Sequence, residues 1–198
     1  MTGDGSGRHD RAHWRQKYSE RGCELDRNPS DWVVDRCRAL PPHALVLDLA
    51  GGSGRNAAAI ARTGRRVIVM DFVFAAVEGA TGRDDRIVGL VADARACPLR
   101  PNSVDAIVCV SFLDRSVFPT LATLLTAGGT LVYETFTRAH LDVVARGRAR
   151  GPRNPEYLLE PGELRTLVAP LDVSEYEERL LSDSAGERHV ARAVATKR

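Results

Sequence analysis

The chain has 198 residues, of which 43% are hydrophobic and 27% charged, and its formal net charge is +2. This size suits one globular domain with a core of its own, the weak charge argues against a nucleic-acid partner, and no apolar run is long enough to cross a bilayer or to form a signal peptide. Four cysteines without a C-x-x-C pair favour reduced thiols in the cytoplasm over disulfides or a metal site; they are Cys23, Cys37, Cys97 and Cys109.

The N-terminal part of the chain is predicted to be helical. A polar helix is expected over residues 10–20, with Trp14 and Tyr18 four residues apart and therefore on one face. A second helix is expected over residues 31–39, where two prolines follow and end it. The predicted boundaries are 1–9 for a disordered N-terminus and 10–198 for a single domain, divided into 10–43 for a helical lid and 44–198 for the core.

From residue 44 onward the chain alternates between strands and helices. The predicted strands are near-continuous apolar runs, of the kind that is buried on both faces of a sheet. This alternation argues for a parallel, doubly wound α/β sheet. We expect strands at 44–49, 66–71, 87–92, 104–110 and 129–135, with helices at 55–63, 73–80 and 115–126.

The pattern changes after the fifth predicted strand. A basic loop over 138–153 leads to a helix near 161–169, and two further strands are expected at 172–180 and 188–196. Only a short polar turn joins these two strands, so they must pair in antiparallel fashion.

A glycine turn follows the first predicted strand of the core. The turn Gly51–Gly54 comes just after Asp48, and the next strand ends at Asp71. Glycines let the backbone approach a ligand, and an acid at the end of the following strand can accept hydrogen bonds from two ribose hydroxyls. Residues 52–57 also fit the G-x-G-x-x-A pattern of nicotinamide-binding proteins. The sequence therefore predicts a site for a nucleotide-like cofactor.

Three features favour S-adenosylmethionine over a nicotinamide dinucleotide at this turn. Asp48 lies inside the strand end, where a carboxylate can hold a cationic amino acid group but would repel a pyrophosphate. Asp93 closes the third strand and can accept a hydrogen bond from an adenine amino group. No second substrate domain follows, and the terminal antiparallel pair is foreign to a plain dinucleotide fold.

Five motifs occur in order over residues 44–135. They are V-L-D-L-A-G-G-S-G-R-N, V-M-D at 69–71, A-D-A at 92–94, S-V-D-A-I-V at 103–108 and L-T-A-G-G-T-L at 125–131. As a set they resemble a class I S-adenosylmethionine-dependent methyltransferase. The resemblance implies a Rossmann-like three-layer α/β/α sandwich, whose seven-stranded, mostly parallel sheet has the order 3-2-1-4-5-7-6 with strand 7 antiparallel.

The resemblance also implies the cofactor, S-adenosyl-L-methionine, and its product, S-adenosyl-L-homocysteine. Asp48 and the glycines would hold the methionine end, Asp71 the ribose hydroxyls, and Asp93 with Ala94 the adenine. One residue departs from the family pattern, because Ala50 stands where the first glycine of D-x-G-x-G-x-G is usual. The predicted cofactor-binding residues are Asp48, Ala50, Gly51, Gly52, Gly54, Asp71, Phe72, Asp93, Ala94 and Ser111.

Methyl transfer from a sulfonium needs no obligatory catalytic residue, because the cofactor brings the activated group. A base is required only when the acceptor must lose a proton. Acceptors in such folds lie beyond the carboxyl ends of strands 4 and 5. There Asp114 and Glu134 are candidates for a base or a substrate anchor, and equally for a turn acid and a helix-cap acid. The residues predicted to line the acceptor site are Trp14, Tyr18, Phe112, Arg153 and Tyr157.

Residues 134–137 and 151–164 are similar to a branch of small methyltransferases described as tellurite-resistance or thiopurine-methyltransferase-like. In that branch an N-terminal element folds over the cofactor. We therefore expect in-line methyl transfer to a small-molecule acceptor. The alternatives are a non-catalytic S-adenosylmethionine-binding protein and an RNA methyltransferase recruited by an arginine-rich loop. That loop carries Arg138, Arg146, Arg148, Arg150 and Arg153. We interpret it as a solvated surface, with the exception of Arg153, which lies among rigid Gly-Pro and Asn-Pro steps.

Overall fold

The computed structural model describes residues 6–21, 28–147, 151–183 and 186–198. Four features named above lie outside these ranges: residues 1–5 of the predicted disordered N-terminus, Cys23, Arg148 and Arg150.

Helices and strands alternate through most of the described residues. The helices are α1 Ser6–Arg21, α2 Asp31–Arg38, α3 Arg55–Ala61, α4 Phe74–Thr81, α5 Phe118–Leu124, α6 His140–Ala145 and α7 Glu163–Leu167. The strands are β1 Leu45–Leu49, β2 Arg66–Asp71, β3 Ile87–Val91, β4 Val104–Val110, β5 Leu125–Phe136, β6 Asp172–Asp183 and β7 Gly186–Thr196.

Residues Met1–Pro98 form one compact unit around three parallel strands. Strand β1 pairs with β2, and β2 pairs with β3. The apolar side chains of β1 and β2 are almost fully buried, and the small residues Ala76 and Ala80 of α4 are buried as well. Gly89 on β3 makes room for α4, because a β-carbon there would lie 2.4 Å from a methyl carbon of Val77.

Strand β3 corrects one sequence-based expectation. It was predicted to be buried on both faces, but it is an edge strand that pairs with β2. An edge strand is covered less completely than a central one, so Val88 is 62% exposed and Val91 is 48% exposed. An apolar run in the sequence does not distinguish these two positions in a sheet.

Residues Leu99–Arg198 form the second compact unit. Strands β4 and β5 are parallel, and β7 runs antiparallel to both β5 and β6. The antiparallel pairing of β6 with β7 is the one predicted from the short turn in the sequence. Two predictions need correction here. The predicted helix over 115–126 is shorter, because the chain enters β5 already at Leu125, and the predicted basic loop contains helix α6.

The seven strands have the order 3-2-1-4-5-7-6, are mostly parallel with β7 antiparallel, and are flanked by helices. This is the Rossmann-like order that the motifs implied, and the prediction is confirmed. In the described parts of the chain, no helix combines the length and the apolar character that a membrane span requires.

Candidate functional site

The turn after β1 is built from backbone in the left-handed region. Ala50 has a φ of 52°, Gly52 of 55° and Gly54 of 76°. The turn is closed by hydrogen bonds from the Gly51 N–H to the Met70 carbonyl (3.2 Å) and from the Gly54 N–H to the Gly51 carbonyl (3.0 Å). Glycine adopts this conformation without strain, whereas the alanine pays a steric penalty. The turn therefore needs small residues, and Ala50 is the strained one.

Asp48 is a buried carboxyl group directly beneath this turn. It is 1% exposed, and within the described ranges its Oδ2 atom has no hydrogen-bond partner. Burial raises its pKa to about 7, and the nearby Asp71 adds to the rise, while Arg55 and a hydrogen bond from the Ala57 N–H oppose it. A β-carbon at Gly51 would lie 2.9 Å from Oδ2, so only a bare glycine fits above the carboxyl.

The unpartnered oxygen of Asp48 shows whether the residues of this site fit a cofactor. A buried polar atom without a partner is costly unless a ligand or a water molecule satisfies it. A cationic amino group matches that need, directly or through water, and the glycines of the turn let a ligand approach the backbone. The residues present therefore fit the amino acid end of S-adenosylmethionine.

Asp71, at the end of β2, connects that strand to the turn. Its Oδ2 accepts a hydrogen bond from the Gly52 N–H and its Oδ1 accepts one from the Val73 N–H, both at 3.0 Å. Burial raises its pKa, and these two hydrogen bonds oppose the rise. Asp71 is thus a structural residue of the turn. Carboxylate oxygens can accept more than one hydrogen bond each, so its predicted contact with ribose hydroxyls remains a prediction.

Helix α1 brings Tyr18 onto the same turn. A β-carbon at Gly52 would lie 2.2 Å from the Tyr18 hydroxyl, so the tyrosine rests against the bare α-carbon of that glycine. The ring of Trp14 lies 6.2 Å from the ring of Tyr18, and Trp14 is 38% exposed. The lid residues predicted from the sequence and the predicted cofactor turn are therefore neighbours in this unit.

The remaining predicted cofactor residues of this unit have local structural roles. The Asp93 carboxyl accepts a hydrogen bond from the Arg95 N–H (3.0 Å), which caps a 3-10 turn over Ala94–Ala96, and it pairs with the Arg95 side chain. Phe72 is half-buried next to Asp71. The contacts of Asp93 and Ala94 with adenine, and of Phe72 with the cofactor, remain predictions.

In the second unit, the carboxyl end of β4 carries three of the predicted residues. Ser111 has a φ of 61°, and its N–H donates to the Glu134 carbonyl (2.8 Å). Phe112 is half-buried, and its carbonyl accepts a hydrogen bond from the Tyr133 hydroxyl (2.8 Å). Asp114 caps a 3-10 turn by accepting from the Ser116 N–H and hydroxyl. This capping contact is the role of a turn acid, which was the structural alternative for Asp114.

Glu134 is engaged in a buried ion pair. The carboxylate is 3% exposed and lies 2.7 Å from the Arg192 guanidinium, which also contacts Glu177 at 3.2 Å. These three residues are cross-strand neighbours on β5, β7 and β6. A base must exchange its proton with a substrate, whereas this carboxylate is occupied by a guanidinium. The structure therefore gives Glu134 a structural role, but as the partner of an arginine on the neighbouring strand and not as the expected helix-cap acid.

Two further groups, one after the end of β4 and one after the end of β5, were not predicted from the sequence. Arg115 pairs with Glu163, at 2.5 Å between Nε and Oε1. His140 is fully buried, its pKa is lowered by burial and by His189, and its Nε2 atom has no partner among the described residues. The partners lie 48 and 49 positions away in the sequence, so no local pattern indicated either contact.

The described part of the predicted arginine-rich loop carries one ion pair and two exposed arginines. Arg138 forms an ion pair with Glu160 at 2.7 Å, and Arg146 and Arg153 are exposed. Tyr157 is half-buried.

Cys37 and Cys109 are buried, and Cys97 is half-buried.

Comparison with known proteins finds methyltransferases that are similar to this chain. Residues 46–129 match the family described as methyltransferase domain. The chain is 35% identical over 131 residues to demethylmenaquinone methyltransferase of Clavibacter sepedonicus, an alignment that covers 61% of this chain and 53% of that protein. The chain thus spans about half the length of the curated relative it matches.

Solved structures share the fold at low identity. A S-adenosylmethionine-dependent methyltransferase from Methanosarcina mazei has a TM-score of 0.69 and 19% identity, covering 86% of this chain and 99% of that one. TehB from Haemophilus influenzae has a TM-score of 0.68 and 21% identity, covering 85% of this chain and 62% of that one.

The sheet order, the turn and the family match over residues 46–129 make this chain similar to the class I S-adenosylmethionine-dependent methyltransferases. S-adenosylmethionine is the cofactor of this class.

Proposed function

We propose that this chain transfers a methyl group from S-adenosylmethionine to a small-molecule acceptor. The observation that carries the proposal is the buried Asp48 carboxyl, whose Oδ2 has no partner among the described residues and lies beneath the bare α-carbon of Gly51. A carboxylate in that place attracts the ammonium group of the cofactor and positions its methionine end.

The residues of the turn would act by binding and orientation. Asp48 would hold the amino group, Asp71 would hold the ribose, and Tyr18 would cover the turn and exclude water. The cofactor, when bound, supplies the activated methyl group for an in-line displacement. Positioning and water exclusion are the main contributions that a protein makes to such a reaction.

The structure also bears on how a proton would leave the acceptor. Glu134 is paired with Arg192, so we propose no base role for it. Asp114 caps a turn but is only partly buried, and it remains the carboxylate candidate at the carboxyl end of β4. Acceptors that are already nucleophilic, such as thiolates and chalcogen oxyanions, would need no base.

The name of the curated relative adds an acceptor class to the test. Demethylmenaquinone is a quinone, and its reduced form is an aromatic diol. An acceptor screen therefore includes thiophenol, selenite, tellurite, catechol and 1,4-naphthoquinol, each with S-adenosylmethionine. The formation of S-adenosylhomocysteine above the acceptor-free rate identifies the acceptor class.

Calorimetric titration with S-adenosylmethionine and S-adenosylhomocysteine at pH 8 tests the cofactor site. We expect saturable binding to the wild type and a loss of about 10-fold or more in Asp48→Asn, since a hydrogen bond to a charged group contributes about 1.5–3 kcal/mol. Asparagine keeps the shape of the side chain and can still accept from Ala57. This makes it a cleaner variant than Asp71→Ala, which would also release the turn.

Asp35→Asn is the matched control, because Asp35 is exposed and pairs with Arg38 on α2. NADH serves as the control ligand for the nicotinamide interpretation. Failure of folded wild-type protein to bind either sulfur compound would refute the proposal. Binding without turnover on any acceptor would favour the non-catalytic binding protein. Salt-sensitive RNA binding that is lost in Arg146→Ala/Arg153→Ala would favour the RNA methyltransferase.

A further inference from the structure

The segment Asn154–Glu163, which we call the strap, attaches at the carboxyl end of β5. The Leu159 N–H donates to the Phe136 carbonyl (3.0 Å), and the Arg138 N–H donates to the Leu159 carbonyl (2.9 Å). Leu158 and Leu159 are both fully buried. The strap is therefore anchored in the core of its unit at the sheet edge where acceptors bind in folds of this kind.

Arg115, just beyond the end of β4, holds the strap on either side of Tyr157. Its Nη1 donates to the Glu156 carbonyl at 2.8 Å, and its Nη2 donates to the Leu158 carbonyl at 3.1 Å. These carbonyls belong to the residues immediately before and after Tyr157. The peptide that carries the tyrosine is thus fixed by one side chain from the end of the neighbouring strand.

The same guanidinium also forms a two-point ion pair with Glu163 at the end of the strap. Nε lies 2.5 Å from Oε1, and Nη2 lies 2.9 Å from Oε2. The pairing lowers the pKa of Glu163 and raises that of Arg115, so both groups stay charged over the physiological range. A lysine offers no planar fork and cannot make these four contacts together.

Phe112 is fixed in a comparable way at the same end of the sheet. The buried Tyr133 donates its hydroxyl to the Phe112 carbonyl at 2.8 Å. Two half-buried aromatic side chains, Phe112 and Tyr157, therefore have their backbones fixed by a side-chain donor. Aromatic residues with a fixed backbone and a side chain partly open to solvent suit a flat, apolar ligand, because little backbone freedom is lost when it binds.

We propose that Arg115 is a positioning residue that presents Tyr157 to the methyl acceptor, and that the acceptor is a planar aromatic molecule. The proposal rests on the function proposed above and specifies its substrate class. Arg115 touches neither cofactor nor acceptor; it acts by fixing the peptide of Tyr157.

The fluorescent phenol 2-naphthol is the probe, titrated into full-length protein saturated with S-adenosylhomocysteine. We expect saturable binding to the wild type, a rise in Kd of at least 10-fold in Tyr157→Ala and in Arg115→Ala, and a smaller rise in Arg115→Lys. The double variant is expected to stay within about 2-fold of Tyr157→Ala, because Arg115 acts through the tyrosine.

Two measurements separate positioning from a general loss of structure. The Kd for S-adenosylhomocysteine should stay within about 2-fold in every variant. Arg198→Ala, which removes an exposed arginine–carboxylate pair with Asp172, should leave 2-naphthol binding unchanged. Far-ultraviolet circular dichroism checks that each variant is folded.

Either of two results would overturn the proposal while the proposed function stands. One is that wild-type protein binds S-adenosylhomocysteine but not 2-naphthol. The other is that the losses in Arg115→Ala and Tyr157→Ala multiply in the double variant. If the wild type does not bind S-adenosylhomocysteine, the proposed function itself fails, and this proposal fails with it.

Discussion

Ala50 shows how one methyl group can strain a ligand-binding turn. It has a φ of 52°, where an L-residue other than glycine costs about 1–2 kcal/mol. We expect Ala50→Gly to raise the free energy of unfolding by about 1 kcal/mol, measured by chemical denaturation. Ala59→Gly in helix α3 is the matched control and should lower it by about 1 kcal/mol, because glycine destabilises a helix interior. If both variants changed the free energy of unfolding by the same amount and in the same direction, Ala50 would not be strained.

Asp48 gives the stability of the protein a characteristic pH dependence. Its pKa is about 7 in the fold and near 3.8 when unfolded, so the folded state binds more protons between these values. Its contribution to the free energy of unfolding therefore falls as the pH rises from about 4 to 7. We expect Asp48→Asn to gain stability relative to the wild type over that range, by at most about 4 kcal/mol.

Denaturation curves of the two proteins at several pH values test this. The difference between the curves cancels the contribution of His140, whose lowered pKa gives the opposite slope. A difference that does not change with pH would show that Asp48 is already ionised in the fold.

At the level of elements, Gly54 permits helix α4 to pack against the turn. A β-carbon there would lie 2.6 Å from the β-carbon of Ala80, and the φ of Gly54 is 76°. We expect Gly54→Ala to destabilise by about 3 kcal/mol, from left-handed strain and overpacking together. Gly64→Ala has the strain without the contact and should cost about 1–2 kcal/mol. If thermal unfolding showed the same loss of stability in Gly54→Ala and Gly64→Ala, overpacking against Ala80 would not contribute.

The ion pairs of Arg192 connect the three C-terminal strands. Removing one partner of a buried pair leaves an uncompensated charge, which costs about 3–5 kcal/mol. We expect Arg192→Ala to lose about that amount in urea denaturation. Adding Glu134→Gln should restore part of the loss, since the charge left behind is then removed. The exposed pair of Arg198 and Asp172 gives the comparison, because Arg198→Ala should leave the urea denaturation curve nearly unchanged. No recovery in the double variant would contradict this account.

For the whole molecule, cofactor binding and stability are linked. A ligand that binds only the folded state stabilises it by about 2.7 kcal/mol at 100 times its Kd. In a chain of this size that corresponds to a rise in Tm of about 5–10 °C. We expect S-adenosylhomocysteine to produce such a rise in differential scanning fluorimetry and NADH to produce none. A rise with NADH instead would favour the nicotinamide interpretation.

The sequence predicts the parts of this fold that depend on short-range patterns. Strands β2 and β4 begin and end where their apolar runs do, and the acid and glycines of the turn follow one another closely. The edge position of β3 and helix α6 were not predicted, because pairing and burial depend on distant segments. The same holds for the site, where Arg115 and Glu163 lie 48 positions apart. For Glu134 the sequence suggested a base or anchor and a helix-cap acid, but the structure shows an ion pair with an arginine 58 positions away, which no local pattern indicates.

The strand order has a consequence for the synthesis of the protein on the ribosome. Strand β7 lies between β5 and β6 but is the last strand to be translated. Until Arg192 leaves the exit tunnel, Glu134 lacks its ion-pair partner, and β5 and β6 lack the neighbour that joins them. The second unit can therefore complete its sheet only after β7 has been synthesised, and a nascent chain stalled before residue 186 would expose the facing edges of β5 and β6 to chaperones.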